Sequence, residues 1–251
     1  MFDLSGQTAL ITGSSRGIGY AAAQALGKQG AAVAINGRDP ATLEQAAAKL
    51  RGQGIRVHTL PFDISNIDQA TNAVDELLKS AGKIDIFFAN AGIQHREPLL
   101  SFPLAEFERV VFANLTSQWA LGRHIAAGMV SQGYGRIIFT GSVTALLGRQ
   151  EVTAYTAAKS AMHGLVRQWA AELSQSGITV NAIAPGYIKT DLTKNLWDDA
   201  KFTSWLEDRV PQKKWGEPDD LASALVFLAA RESGFVTGQI LVVDGGMSST
   251  M

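Results

Sequence analysis

The segment Thr12–Gly19, TGSSRGIG, constrains the fold of this chain more than any other stretch. It follows the apolar run Thr8-Ala9-Leu10-Ile11 and opens a stretch in which Ile18, Ala22, Ala25 and Leu26 recur at helical spacing. A strand, a glycine-rich turn and a helix, in that order, form the local setting of a dinucleotide loop. Glycines let the backbone close on a pyrophosphate, and the helix N-terminus offers unpaired N–H groups and the positive end of its dipole. Gly13, Gly17 and Gly19 carry the spacing G-x-x-x-G-x-G, with Ser15, Arg16 and Ile18 as the other candidate cofactor contacts in the loop.

The rest of the chain continues the alternation. Apolar runs lie near Ala32–Ile35, Val57–Leu60, Ile84–Phe88, Ile137–Thr140, Thr179–Ile183 and Ile240–Val243. Helical periodicity fills Ala41–Leu50, Ile67–Leu78, Glu106–Val130, Ala154–Leu173 and Asp219–Ala229. The pattern predicts one α/β domain over residues 1–251, a Rossmann-type doubly wound parallel sheet with helices on both faces. Right-handed crossovers bring the strand ends to one edge, where a ligand binds. The stretch Thr190–Lys214 breaks the rhythm and carries Trp197, Phe202 and Trp205, with Trp215 just beyond; it predicts a small substrate lobe.

Composition narrows the function classes. A chain of 251 residues, 46% hydrophobic, can bury a large core. A formal net charge of −1 gives no bulk attraction to nucleic acid or an anionic membrane. The absence of cysteine excludes disulfide and thiolate chemistry and permits a reducing compartment. No apolar run approaches the roughly 18 residues of a membrane span. The start, Met1-Phe2-Asp3-Leu4-Ser5-Gly6, lacks the basic and apolar regions of a signal peptide, so a cytoplasmic location is expected. His58, His124 and His163 show no metal-ligand spacing, and no catalytic metal is expected.

Tyr155 and Lys159 stand four apart in a helical stretch and so share a face. A phenol that shuttles protons at neutral pH must fall by roughly 3 units from ~10, about 4 kcal/mol. One cation about 4 Å away, at an effective dielectric near ~20, supplies energy of that order. Tyr155 then serves as general base toward an alcohol or general acid toward a carbonyl. Ser142, upstream, can hold the same substrate oxygen.

Together these segments resemble the short-chain dehydrogenase/reductase family over nearly the whole chain. TGSSRGIG is similar to the family's nucleotide loop. Ala89-Asn90-Ala91-Gly92 is similar to its Asn-Asn-Ala-Gly motif, with Ala89 in place of the first Asn. Asn114, Ser142, Tyr155 and Lys159 fall on its catalytic tetrad, and Pro185-Gly186 on the stretch bordering the nicotinamide. The resemblance implies that Lys159 lowers the Tyr155 pKa and bonds the nicotinamide ribose, and that Asn114 holds a water in a proton relay. It further implies that Asn90, Ala91, Gly92, Pro185, Gly186, Ile188 and Thr190 line the cofactor, that Asp63-Ile64 meets adenine, and that the protein is a homotetramer.

Cofactor choice rests on the end of the second strand, Asn36-Gly37-Arg38. NAD-preferring relatives place an acid there to bond the ribose hydroxyls. Asn36 sets no charge against a 2′-phosphate, and Arg38 and Arg16 suit one, so NADP(H) is expected over NAD(H). Asp39, ahead of Pro40, reads as the N-cap of the next helix. For substrate, Asn90–Leu99, Leu147-Gly148-Arg149, Ala184–Leu192 and Lys213–Leu221 resemble the family's gluconate 5-dehydrogenase branch. That branch implies a small sugar acid, with Arg96 as first candidate for its carboxylate, Arg149 as second, and Ser142 and Tyr155 at the reacting oxygen. Two other readings are weighed. A 3-oxoacyl-carrier-protein reductase tends to carry docking arginines where this chain has Gly133 and Ser176, and a non-catalytic dinucleotide sensor has no need of Tyr155 and Lys159.

Overall fold

A computed structural model describes residues 2–250. Among them, β1 (Thr8–Ile11), β2 (Ala32–Gly37), β3 (Val57–Pro61), β4 (Ile86–Ala89), β5 (Gly135–Thr140), β6 (Ile178–Pro185) and β7 (Ile240–Val243) form one sheet in the order β3-β2-β1-β4-β5-β6-β7. Every adjacent pair is parallel; Ile11 lies beside Ile35 on one side and Phe88 on the other. The order reverses between β1 and β4, and an open α/β sheet binds its ligands in the crevice at such a switch point.

Side-chain alternation sorts the strands onto two cores. Ala9, Ile11, Val33, Ile35, Ile86 and Phe88 face α1 (Gly17–Lys28), α2 (Pro40–Arg51) and a later helix at Ala222–Ala229. Leu10, Ala34, Phe87, Ile137, Phe139 and Val180 face α3 (Ile67–Ala81) and two helices that follow β4 and β5. Both faces are covered, which is why the strands read as unbroken apolar runs. Asp39 caps α2 through the Thr42 N–H, and Asn66 caps α3 through the Gln69 N–H, as short polar residues do at helix starts.

The predicted helix Glu106–Val130 is three pieces. α4 (Leu104–Val111) and α5 (Ser117–Gln132) are joined by a π-helical turn at Phe112–Thr116, and Asn114 sits inside that turn. π turns cluster at functional sites because they re-aim one side chain. α6 (Thr153–Leu173) matches its prediction closely. The lobe stretch contains a 3₁₀ turn at Asp191–Thr193, α7 (Lys194–Trp197) and α8 (Ala200–Arg209); α9 (Ala222–Ala229) is preceded by a 3₁₀ turn at Pro218–Leu221.

Asn36 departs from expectation. Its side chain is buried rather than turned to the cleft. The amide donates to Leu60 O and Phe62 O, 3.0 Å each, and its Oδ1 accepts the Gly13 N–H at 3.0 Å. Asn36 therefore ties β2, β3 and the glycine loop together, and the residues left at the cleft are Gly37 and Arg38. Asn36→Ala leaves two carbonyls and one N–H unpaired, and should cost about 2–4 kcal/mol in a denaturant melt. Asn36→Asp should be worse than Ala, since a buried carboxylate would face two carbonyl oxygens; a milder Asp variant would contradict this placement.

Candidate active site

The carboxyl ends of β1, β4, β5 and β6 meet along one edge. After β1, Gly13 and Gly17 adopt left-handed backbone, φ 61° and 57°. A Cβ on Gly13 would stand 2.9 Å from Ala91 Cα, and one on Gly19 would stand 2.8 Å from Asn90 Nδ2. Only glycine lets the loop nest against the Asn90-Ala91-Gly92 turn. The start of α1 is bare: Arg16, its N-cap, makes no side-chain cap bond, and no acid stands in the first turn. Unpaired N–H groups at a helix start, lined by glycine, suit a pyrophosphate. The residues present thus fit a dinucleotide, with Gly13 to Gly19 as its cradle.

Around this cradle the other predicted contacts gather. Thr190 packs beside Gly17, where a Cβ would meet its Cγ2 at 3.4 Å. Arg38 and Asp63 lie beside each other, Nη1 to Oδ2 3.6 Å, at the β2–β3 end of the edge. Arg16 instead pairs with Asp191, 2.8 Å away, at the start of the lobe. Ser15 lies beside Gly37, 3.3 Å from where its Cβ would be. Ile64 and Ile188 are core residues by side chain, and the Ile188 carbonyl accepts the Thr193 hydroxyl at 2.6 Å. Pro185 ends β6, and the Gly186 N–H donates to Val243 O at 2.9 Å.

The tetrad is assembled from three elements. Ser142 follows β5, Tyr155 and Lys159 share one face of α6, and Asn114 comes from the π turn. Ser142 Oγ accepts from Thr144 N at 3.1 Å and from Thr144 Oγ1 at 3.0 Å. With its lone pairs occupied, its own proton is free to donate to a substrate oxygen. Asn114 Nδ2 donates to Ile93 O and Val110 O, 2.8 Å each, while its Oδ1 is buried without a partner. A buried carbonyl without a donor calls for a water or ligand.

Lys159 Nζ donates to Thr140 O at 2.6 Å and lies 5.6 Å from the centre of the Tyr155 ring. Burial pushes Lys159 down to about 8. Burial pushes the Tyr155 phenol up, while the Ser142 hydroxyl and the Arg96 charge pull it back. Lys159 thus lies beside the Tyr155 ring, and Arg96 is a second cation whose charge favours the phenolate.

Arg96 and Arg149 are brought together. The loops that carry them are joined by Glu97 N–H to Glu151 O at 3.1 Å, and Glu151 adopts φ 65° to make the turn. Burial, then the charge of Arg149, hold Arg96 below the usual guanidinium value. No ion pair involves either arginine among the described residues. His95 turns away, Nδ1 to Glu106 Oε2 3.2 Å, and packs edge-on to Phe102. No group of three or more potential metal ligands occurs among the described residues.

Sequence reasoning missed Thr12, Thr140 and His163. Thr12 Oγ1 accepts Asn90 N–H at 2.9 Å and Ala91 N–H at 3.0 Å. Its only signal was its place between β1 and Gly13. His163, one turn after Lys159 on α6, is held down at about 4 by burial, then by the Lys159 and Arg167 charges.

A family model described as Enoyl-(Acyl carrier protein) reductase matches residues 13–248. The 5-keto-D-gluconate 5-reductase of Escherichia coli (strain K12) is 41% identical over 247 residues, covering 98% of this chain and 97% of that protein. A solved structure of a putative gluconate dehydrogenase from Agrobacterium tumefaciens is similar at a TM-score of 0.98 and 43% identity, over 100% of this chain and 99% of that one. A gluconate 5-dehydrogenase from Burkholderia cenocepacia J2315, in complex with NADP and tartrate, is similar at 0.96 and 39%, over 100% and 98% of the two chains.

The buried Lys159 yields a stability prediction. Its folded pKa lies below the unfolded value, so at pH 7 the folded protein carries a penalty of about 3 kcal/mol for keeping it charged. Between about 8 and 10.5 the unfolded chain binds more protons, so this penalty is full below the window and fades as pH rises through it. Lys159→Met forfeits the bond to Thr140 O, yet should raise stability at pH 7 by roughly 1–3 kcal/mol while removing turnover. Guanidinium midpoints should show the gain shrinking toward pH 10; a gain that is absent, or equal at both pH values, would contradict it.

Proposed function

We propose that this chain, which belongs to the short-chain dehydrogenase/reductase family, interconverts a secondary alcohol and a ketone on a small sugar acid of the gluconate/5-keto-gluconate type. The relatives named above act, by their names, on gluconate or its keto form. The observation that carries the reading is the Arg96–Arg149 pair: two guanidiniums in no ion pair among the described residues, with Tyr155 and Glu151 within electrostatic reach of Arg96. With Glu151 near Arg96, one substrate carboxylate balances the charge of the cluster. An acyl thioester offers no anion here, and Gly133 and Ser176 offer a carrier protein no cation, which sets the carrier-protein reading second.

Reduction then runs through this chain's own groups. The cradle at Gly13–Gly19 would hold the cofactor's pyrophosphate, and Lys159, with two N–H donors left beyond Thr140, would bond its ribose. When bound, the reduced nicotinamide supplies the hydride. Ser142 donates to the ketone oxygen and fixes it beside Tyr155. Tyr155, kept protonated by burial, donates its phenolic proton to that oxygen as negative charge develops there. Ser142 and Arg96 then steady the phenolate, and Asn114 Oδ1 anchors a water through which it is reprotonated. In the oxidative direction the same groups run in reverse.

The exposed Arg38, and Arg16 once it leaves Asp191, support NADP(H) as the preferred cofactor. The exposed Leu104, Trp119 and Val130 along α4–α5, with Leu100 in the turn before α4, support a homotetramer. Among the described residues no helix is long and apolar enough to cross a membrane, and a cysteine-free reductase suits the cytoplasm.

Two measurements test this. Arg96→Ala should lose roughly 30- to 1000-fold in kcat/KM toward 5-keto-gluconate, about 2–4 kcal/mol, and little toward a neutral cyclic diketone. Equal losses on both would make Arg96 structural and remove the main support for a sugar acid. Arg38→Ala should erode an NADPH preference by about 1.5–3 kcal/mol; equal efficiency of the parent with NADH and NADPH would refute that preference.

A further inference from the structure

The lobe between β6 and α9 carries an aromatic cluster with no work assigned so far. Tyr187, Phe202, Trp205 and Trp215 pack edge-on or tilted, ring centres 5.1 to 6.1 Å apart. The Arg149 guanidinium, from the loop between β5 and α6, lies over three of them: 4.7 Å from Phe202, 5.5 Å from Trp205 and 5.6 Å from Tyr187. Its Nε is buried without a hydrogen-bond partner. Trp205 remains 42% exposed, so its ring is not there only to fill the core.

This arrangement is unusual for a cation. Buried arginines are held by carboxylates or carbonyls at the edge of the fork. Here the guanidinium lies over aromatic rings, an attraction that grows as water is excluded. Arg149 also bonds the Tyr187 hydroxyl, while its Nε–H, on the edge that recognises a planar anion, is left without a partner. The Glu97–Glu151 backbone bond ties the two loops together, and the Arg149 charge acts on Arg96.

We propose that Phe202 and Trp205 are positioning residues for substrate selection: by packing against Arg149 they hold its unpartnered Nε–H ready for a carboxylate, and so set the preference for acids over neutral ketones. The proposal rests on the reading of Arg96 and Arg149 as the carboxylate site. It gives the lobe a role as an orienting shelf, one that works through another residue and touches no reacting atom.

The test compares Trp205→Leu and Phe202→Leu with the ring-keeping Trp205→Phe and Phe202→Tyr, using NADPH. Losing one ring should raise KM for 5-keto-gluconate about 3- to 30-fold. The acid's kcat and the KM of a neutral cyclic diketone should stay within about twofold. The ring-keeping variants should stay near the parent. Acid and neutral ketone shifting together, no shift in either, or ring-keeping variants as impaired as the leucine variants would overturn the proposal. A parent that reduces the neutral ketone but not 5-keto-gluconate would defeat the sugar-acid reading instead. Inhibition of neutral-ketone reduction by gluconate then decides the shelf: weaker in Trp205→Leu sustains it, and equal or absent inhibition in both proteins overturns it.

Discussion

Asn90 is the joint on which the edge of the sheet depends. Its Nδ2 donates to Thr12 O at 3.0 Å and Gly13 O at 3.1 Å, and its Oδ1 accepts the Thr140 hydroxyl at 3.2 Å. Thr140 O in turn accepts Lys159. One side chain thus links the ends of β1, β4 and β5, and through Thr140 it reaches α6. The cofactor cradle and the proton-transfer residues are not two devices near each other. They are held at fixed separation by a short chain of polar contacts, largely closed to water. A reaction that needs its donor and acceptor within a few tenths of an ångström gains from such a brace.

The cleft gathers charge without neutralising it. Lys159 is buried with a carbonyl for partner, Arg96 and Arg149 face each other, and the start of α1 is uncapped. Each is a local cost, and each points into the same space. The fold pays for this through two apolar cores that cover both faces of the sheet. A ligand with a pyrophosphate at one end and a partner with a carboxylate at the other would relieve several of these costs together.

The sequence carried the sheet almost whole because parallel strands buried on both faces are continuous apolar runs, and because crossovers admit one hand. The nucleotide loop was equally readable, since Gly13 and Gly17 need a backbone that other residues avoid. What stayed hidden depended on direction. Asn36 has the same letter whether it faces the ribose or the core, and only the positions of Leu60 O and Phe62 O decide. Spacing placed Lys159 and Tyr155 on one face, but it does not reveal that the ammonium is anchored on Thr140 O. Arg149 could be read as a second carboxylate candidate but not as an arginine held by rings, because those rings come from residues 187 to 205. The π turn left no periodicity signal, because one extra residue inside a long helix is absorbed within the tolerance of any helical pattern.

That π turn binds the history of the chain. A regular helix advances about 100° per residue, so an extra residue at Phe112–Thr116 sets the rotation of everything after it. Leu121, Ile125 and Met129 meet the sheet only because the insertion is present. Deleting a single residue there would straighten the helix and swing this stripe away from the core. Asn114 would lose its aim at the cleft in the same stroke. The bulge can be inherited or lost as a unit with the packing downstream, but it cannot be tuned in small steps.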